Sequence, residues 1–467
     1  MYNLLRAGIG LALLSLAAAP SIGASRFIQD PYPSTYRSLG AEAVLIHNAT
    51  VLTGTGERLD DADVLLRDGK VEAVGRALQA GTDVRRIDAR GRWVTPGLID
   101  VHSHLGVYPS PGVSAHSDGN EMTAPVTANV WAEHSVWPQD PGFAEALAGG
   151  VTSMQVLPGS ANLVGGRGVV LKNVPATTYQ AMKFPGAPWG LKMACGENPK
   201  RVYGGKGTAP GTRMGNVAGY RAAFIDASDY IAKNTAKPAK RKRWFGGDKE
   251  DSGGDSGGTR DLKLDTLAGA IQGDIRVHIH CYRADEMATM LDLAKEFGFK
   301  VAAFHHGVEA YKLADRLAAD GVCGALWADW WGFKMEAFDG IQENIALVDR
   351  PANSCAIVHS DSPEGIQRLN QEAAKVMAAA RRADMQAITP ERAITWMTAN
   401  AARALGIEDR TGTLQPGRNA DVVVWNGNPF SSYALADQVF IDGHSYFDRT
   451  DPRSKPVSDF RLGQEVR

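Results

Sequence analysis

Short apolar runs that alternate with polar residues mark the N-terminal part of the chain as β-structure. Two such runs cover residues 43–47 and 64–74, and Asp68 with Gly69 interrupts the second of them. An Asp-Gly pair between alternating apolar residues is typical of a tight hairpin turn. The pattern therefore predicts a β-hairpin centred on this pair.

A similar pattern returns only near the C-terminal end of the chain. The runs there are residues 421–425 and 439–443. Because this pattern occurs at both ends and not between them, we expect the two ends to fold together. The prediction is one small β-sandwich domain, to which residues 41–95 and 407–449 both contribute.

Between these ends, short apolar segments alternate with amphipathic helices. The candidate strands are residues 98–101, 151–157, 190–195, 276–281, 300–305, 324–328 and 356–359. Candidate helices cover residues 285–297, 309–319 and 364–383, and another begins at Thr389. Alternating strands and helices are typical of parallel βα units. We therefore predict an α/β fold in which residues 96–406 form a (β/α)8 TIM barrel.

The first residues of the chain have a different character. Arg6 precedes an apolar run at residues 9–19, and small residues continue to Ala24. This order is typical of a secretory signal peptide, and the run is shorter than the roughly 20 residues that span a membrane. We expect residues 1–24 to be removed on export, the mature protein to be periplasmic or secreted, and the chain to have no stable membrane span.

Composition excludes some classes of partner. The 467 residues carry a formal net charge of -2, with 22% charged and 44% hydrophobic residues. These values are ordinary for a globular protein, and nothing in them indicates nucleic acid or an anionic membrane as partner. A basic and then Gly/Ser/Asp-rich stretch at residues 237–258 is interpreted as a solvated insertion.

The four cysteines are widely spaced, and three of them lie in apolar runs that are typical of strands. They are Cys195, Cys281, Cys323 and Cys355. We predict buried thiols rather than disulfides, although export makes one bridge compatible with the sequence.

The end of the first predicted barrel strand carries the sharpest chemical signal. His102 and His104 are two residues apart, so their side chains project from the same face of a strand and can chelate one divalent ion. A single His-x-His is weak evidence. Three more strand ends carry His280, His306 and Asp361, at the face of a barrel where catalytic loops converge. Imidazole with carboxylate suits zinc, iron or manganese.

Two segments carry a family resemblance. The run from Val94 to His104, Val-Thr-Pro-Gly-Leu-Ile-Asp-Val-His-Ser-His, is similar to the opening motif of the amidohydrolase superfamily. The run from Gly412 to Trp425 resembles the closing β-segment of that superfamily. The likeness covers residues 41–449, and within the superfamily it is nearest to imidazolonepropionase-related amidohydrolases.

The resemblance implies a set of metal ligands. It assigns this role to His102, His104, His280, His306 and Asp361, and Asp361 also becomes the general base. At two of these places the chain has neighbouring histidines. The resemblance favours His280 over His278 and His306 over His305.

The ligand on the fourth strand is left open. Lys192, in Leu-Lys-Met-Ala, resembles the carboxylated lysine of dihydroorotase-like members, which bridges two metal ions. Glu197, in Gly-Glu-Asn-Pro, resembles the ligand of single-metal deacetylases. We favour carboxylated Lys192 and keep Glu197 as the alternative. The expected cofactor is therefore one or two divalent ions, Zn²⁺ first, with Fe or Mn as alternatives.

The implied function is hydrolysis of a C–N bond in a small molecule. An amide, a cyclic amide, an amidine or a dipeptide-type bond would be cleaved by metal-activated water, with Asp361 as the base. Arg213 and Arg283 are candidate anchors for an acidic substrate group. The alternative is a metal-binding, non-catalytic amidohydrolase-like subunit that requires a paralogous partner. Homo-oligomers and hetero-oligomers with such a paralogue are both compatible with the resemblance.

Overall fold

The computed structural model of the protein describes residues 27–110, 112–235, 259–330, 332–385 and 388–454. The predicted signal peptide, residues 1–24, and the predicted insertion, residues 237–258, lie outside the described residues. None of the helices in the described part of the chain has the length and apolarity that crossing a bilayer requires.

The strands and helices of the described residues are as follows. The strands are β1 (Val44–Leu52), β2 (Arg58–Arg67), β3 (Lys70–Gly75), β4 (Arg85–Asp88), β5 (Trp93–Pro96), β6 (Leu98–Ser103), β7 (Val151–Val156), β8 (Val164–Lys172), β9 (Gly190–Ala194), β10 (Arg276–His280), β11 (Val301–His305), β12 (Cys323–Leu326), β13 (Ala356–Val358), β14 (Val422–Trp425), β15 (Ala436–Ile441) and β16 (His444–Asp448). The helices are α1 (Pro141–Ala148), α2 (Tyr179–Met182), α3 (Glu197–Gly204), α4 (Arg213–Thr235), α5 (Leu262–Gln272), α6 (Ala284–Phe297), α7 (Ala314–Asp320), α8 (Asn344–Val348), α9 (Leu369–Arg382), α10 (Pro390–Ala393) and α11 (Ala399–Leu405).

Strands from both ends of the chain form one sheet. Its order is β16-β15-β14-β5-β1-β2-β3, and β4 also pairs with β1. The two ends meet where β14 lies antiparallel to β5. The predicted hairpin joins β2 to β3, and Asp68 and Gly69 have φ angles of 51° and 75°. Both values are in the left-handed region that a two-residue hairpin turn of type I′ requires.

The second sheet contains β6 to β13 in chain order, and it forms the predicted (β/α)8 barrel beside the separate β-rich domain. Contacts between the first and last strands close it. The backbone N–H of Asp361, just after β13, donates to the carbonyl of His102 on β6 at 3.0 Å. The carboxyl ends of the strands therefore converge at one mouth, where the predicted site residues lie.

One barrel strand, β8, differs from the predicted pattern, because it is antiparallel to both β7 and β9. Only residues 157–163 connect β7 to β8, whereas a parallel crossover needs a dozen or more residues. The strand was not predicted, since Gly165, Gly166 and Gly168 interrupt its apolar pattern. Gly166 has a φ angle of 116°, and a Cβ there would collide with the carbonyl of Val130.

Helix α4 was also not predicted. Met214 and Ile225 are exposed, while Asn216 and Tyr220 face the barrel. Because apolar residues lie on both faces of the helix, the sequence shows no amphipathic stripe.

The prediction of free cysteines is wrong. Disulfides join Cys195 to Cys281 and Cys323 to Cys355. Each bridge links neighbouring strands, the first at the carboxyl ends of β9 and β10 and the second at the start of β12 and β13. The partners are 86 and 32 residues apart in sequence, so only the folded barrel brings them together.

Candidate metal centre

Side chains from five barrel strands meet at the carboxyl end of the barrel. Strands β6, β9, β10, β11 and β13 position, on the strand or just after it, His102, His104, Lys192, His280, His306 and Asp361. The structure thus brings together the predicted histidines, the aspartate and the favoured lysine.

Asp361 lies among three of these imidazoles. Its Oδ1 atom is 3.5 Å from Nε2 of His102 and 3.2 Å from Nε2 of His104. Its Oδ2 atom is 3.7 Å from Nε2 of His306. The ligand atoms of His102, His306 and Asp361 all lie within 4.8 Å of one another, a spacing at which they can share one cation.

Two of these residues depend on an unusual backbone conformation. The φ angles of His306 and Asp361 are 62° and 55°. A left-handed conformation costs a non-glycine residue about 1–3 kcal/mol, and such residues cluster at functional sites. His306 follows directly on β11, and Asp361 lies three residues beyond the end of β13, so the chain changes direction close to the carboxyl end of each strand.

Three of the predicted imidazole ligands use their second ring nitrogen in a hydrogen bond. Nδ1 of His104 lies 2.8 Å from the carbonyl oxygen of Leu157. Nδ1 of His102 lies 2.9 Å from Nδ1 of His305, and Nδ1 of His306 lies 2.9 Å from Nε2 of His359. Such contacts orient metal-binding histidines in proteins. They leave Nε2 of each ring directed at Asp361.

His280 completes the donor set. Its Nε2 atom is 3.3 Å from the amide nitrogen of Asn198, and its Nδ1 atom is buried without a hydrogen-bond partner among the described residues. Buried polar atoms are normally paired, so this nitrogen marks a place for a group that the chain does not provide. Burial lowers the pKa of His102, His280 and His306 well below its ordinary value, and a neutral imidazole is the form that binds metal. The residues present therefore fit a divalent ion.

Burial also changes the ionisation of the lysine and the aspartate. Lys192 is 1% exposed, its Nζ atom is 3.2 Å from Nε2 of His102, and burial lowers its pKa to about 7. Burial opposes the ionisation of Asp361, but the hydrogen bond and charge of His104 outweigh it and keep the pKa of Asp361 below its ordinary value. At neutral pH, Asp361 is therefore a carboxylate, and much of Lys192 is an uncharged amine.

The alternative fourth-strand ligand lies in a different setting. Glu197 begins α3, and its Oε1 atom lies 3.8 Å from Nζ of Lys334. The described contacts of its side chain include neither the histidines nor Asp361. The geometry therefore places Lys192, and not Glu197, against His102.

The two predicted arginine anchors are already paired with carboxylates. Arg213 forms ion pairs with Glu286 and Glu336. Arg283 pairs with Asp285 at 2.9 Å on the exposed start of α6. A substrate carboxylate would have to displace one of these partners.

Several residues that were not predicted also support the site at the mouth of the barrel. Asp100 is fully buried and accepts hydrogen bonds from the backbone of His102 and Ser360, and burial raises its pKa to about 7. The sequence contained a signal for this residue, because Asp100 precedes His102 by two residues and so lies on the same face of the strand. Trp327 stacks on His306 with ring centroids 4.2 Å apart. Nothing in the local sequence indicated that contact.

Comparison with solved structures decides the family. An amidohydrolase from Thermotoga maritima MSB8 superimposes with a TM-score of 0.77 at 35% sequence identity, over 87% of this chain and 100% of that one. The chain belongs to the amidohydrolase family. A sequence model of this family also matches residues 333–448.

Curated relatives extend this finding. The amidohydrolase tasK of Hapsidospora irregularis is 32% identical over 454 residues, which is 90% of this chain and 45% of that protein. This chain thus spans less than half the length of that relative. The imidazolonepropionase of Mesorhizobium japonicum is 24% identical over 78% of this chain and 86% of its own length. The predicted resemblance to amidohydrolases, and to imidazolonepropionases among them, is confirmed.

Proposed function

We propose that this amidohydrolase-family protein is a metal-dependent hydrolase that cleaves a C–N bond in a small molecule, such as an amide, a cyclic amide, an amidine or a dipeptide-type bond. The observation that carries the proposal is the placement of the Asp361 carboxylate within 3.2–3.7 Å of three inward-facing imidazole nitrogens. Folding alone does not require these groups to converge at the catalytic end of a barrel.

The metal would be held by the predicted ligands. These are His102, His104, His280, His306, Asp361 and carboxylated Lys192. One or two divalent ions are expected, with zinc favoured and iron or manganese as alternatives. A bound ion of this kind lowers the pKa of water to about 7 and polarises a carbonyl oxygen.

Asp361 would move the proton. Its pKa is held below the ordinary value, so the carboxylate is free to accept a proton from the attacking water. The same carboxyl group then returns the proton to the leaving nitrogen, which departs as an amine. Oδ1 of Asp361 lies 3.2 Å from Nε2 of His104, so the carboxylate is held beside the proposed metal ligands.

Lys192 is the favoured fourth-strand ligand. An uncharged lysine amine adds to carbon dioxide, forming an N–C bond and releasing one proton to give a carbamate. The lowered pKa of Lys192 supplies that uncharged amine at neutral pH. Its contact with His102 supports this choice over Glu197.

Metal removal tests the proposed function. We expect chelator-treated protein to be inactive, and reloading with Zn²⁺ to restore hydrolysis of at least one member of a panel of N-acyl amino acids, dipeptides and cyclic amides. Turnover is measured by release of the amine or carboxylate product. Activity that survives complete metal removal would contradict the proposal. Full metal loading without turnover of any panel member would favour the non-catalytic subunit.

We also propose that the protein is exported. The charged, apolar and small residues of positions 1–24 and the two disulfides both fit an oxidising compartment. N-terminal sequencing of the protein recovered from its producing cells should give a mature start near residue 25. An intact Met1 in a cytoplasmic fraction would contradict this proposal.

A further inference from the structure

A chain of buried side chains leads away from the metal centre into the barrel. Nδ1 of His102 is 2.9 Å from Nδ1 of His305, and Nε2 of His305 is 2.9 Å from Nδ1 of His278. Nε2 of His278 lies 3.4 Å from the amide nitrogen, Nε2, of Gln155. The three imidazoles are 0% exposed and Gln155 is 1% exposed, so these side chains are shielded from bulk solvent.

The hydrogen bonds along this series of buried side chains must all point in the same direction. A neutral imidazole has one donor nitrogen and one acceptor nitrogen. A ring that accepts a hydrogen bond on one side therefore donates on the other, and successive hydrogen bonds point the same way. Both nitrogens of His305 face other imidazoles, and both nitrogens of His278 are in contact with a neighbour. The direction at Gln155 therefore determines the tautomer of His102.

The two directions have different consequences for metal binding. If the Gln155 amide donates, each histidine donates toward the mouth, and the proton of His102 lies on Nε2, which then cannot bind a metal. If the Gln155 oxygen accepts from His278, each ring donates inward and Nε2 of His102 is unprotonated. In the structure, the amide nitrogen of Gln155 faces His278. The second direction requires a half-turn of this amide, which brings Oε1 to His278. No hydrogen bond among the described residues opposes that turn, because Oε1 is buried without a partner.

We propose that His305, His278 and Gln155 are positioning residues that hold His102 in the tautomer whose Nε2 binds the metal ion. This inference rests on the proposed metal-dependent function. It also separates His305 from the ligands, because both of its ring nitrogens are engaged with other imidazoles. Interiors of such barrels are normally filled by branched apolar side chains, so two imidazoles and an amide at these positions need a polar role.

The protonated nitrogen can be observed directly by NMR of the full-length protein labelled with ¹⁵N-histidine. In the zinc-loaded protein we expect the proton on Nδ1 of His102 and on Nε2 of His305 and His278. This measurement uses the unsubstituted protein, so it does not depend on the folding of any variant. A proton on Nε2 of His102 in the zinc-loaded protein overturns the proposal.

Variants test the energetic consequence. His305→Phe keeps a planar ring but removes the acceptor, and we expect it to lower zinc affinity about 10- to 100-fold, as loss of a partner that orients a ligand does. His305→Asn retains an acceptor for His102 and should recover most of that loss. Gln155→Leu should weaken zinc binding in the same direction. Affinity is measured by competition with a chromophoric chelator.

A destabilising substitution away from the histidines is the matched control. Asn173→Leu removes two buried hydrogen bonds, to the carbonyls of Phe143 and Val151, and should lower the melting temperature without changing zinc affinity. If zinc affinity is unchanged in both His305→Phe and Gln155→Leu, the positioning role is wrong although the metal site stands. If the unsubstituted protein binds no zinc, the metal site itself is wrong, and the proposal fails with it.

Discussion

Replacing Asp361 with asparagine is expected to lower kcat about 100- to 10,000-fold, which is the usual contribution of a positioned general base. The amide of asparagine cannot accept a proton from water, so the transfer step is lost. The substitution suits the backbone, because asparagine tolerates the left-handed conformation of Asp361, where φ is 55°. The hydrogen bond from its backbone N–H to His102 remains.

The matched control for this prediction is Asp384→Asn. Asp384 is an exposed aspartate with a similar φ angle of 53°, so it tests the effect of the substitution outside the site. Kinetics, thermal melting and metal analysis should show an Asp361→Asn protein that is folded and retains most of its metal. Undiminished kcat in that protein would remove Asp361 from the proposed proton transfer.

Removing Lys192 is expected to reduce the metal content from about two ions per chain to one or fewer, and to lower turnover with it. Under this prediction, Lys192 is carboxylated and bridges the ions. Small carboxylates such as acetate should partly restore activity in Lys192→Ala, because they can enter the space that the side chain vacates. Glu197→Ala should retain the metal content of the unsubstituted protein, since the side chain of Glu197 lies near Lys334.

Elemental analysis of protein loaded with metal in bicarbonate-containing buffer decides whether Lys192 or Glu197 is the ligand on the fourth strand. The opposite pattern would be one tightly bound ion that Lys192→Ala leaves in place and Glu197→Ala removes. That result would assign the ligand to Glu197, make the site a single-metal centre and contradict the bridging role of Lys192.

The sequence by itself determined the parts of this protein that depend on local pattern. The hairpin at Asp68 and Gly69 follows from the conformations that these residues favour. The barrel strands that carry His102, Lys192 and His280 were predicted because buried parallel strands appear as short apolar runs. The family was also evident, because its opening and closing motifs are continuous segments.

The tertiary structure decided what depends on which strands become neighbours. The antiparallel direction of β8 follows from its short connection to β7. The strand itself was not predicted, because glycines interrupt its apolar pattern. The disulfides pair cysteines 86 and 32 residues apart, so no local spacing predicts them. The different roles of His305 and His306 could not be predicted either, because they depend on which side chains become neighbours in the folded barrel. His305 and His306 are adjacent in sequence, but one contacts His278 inside the barrel and the other faces Asp361 at the mouth, because the backbone bends at His306.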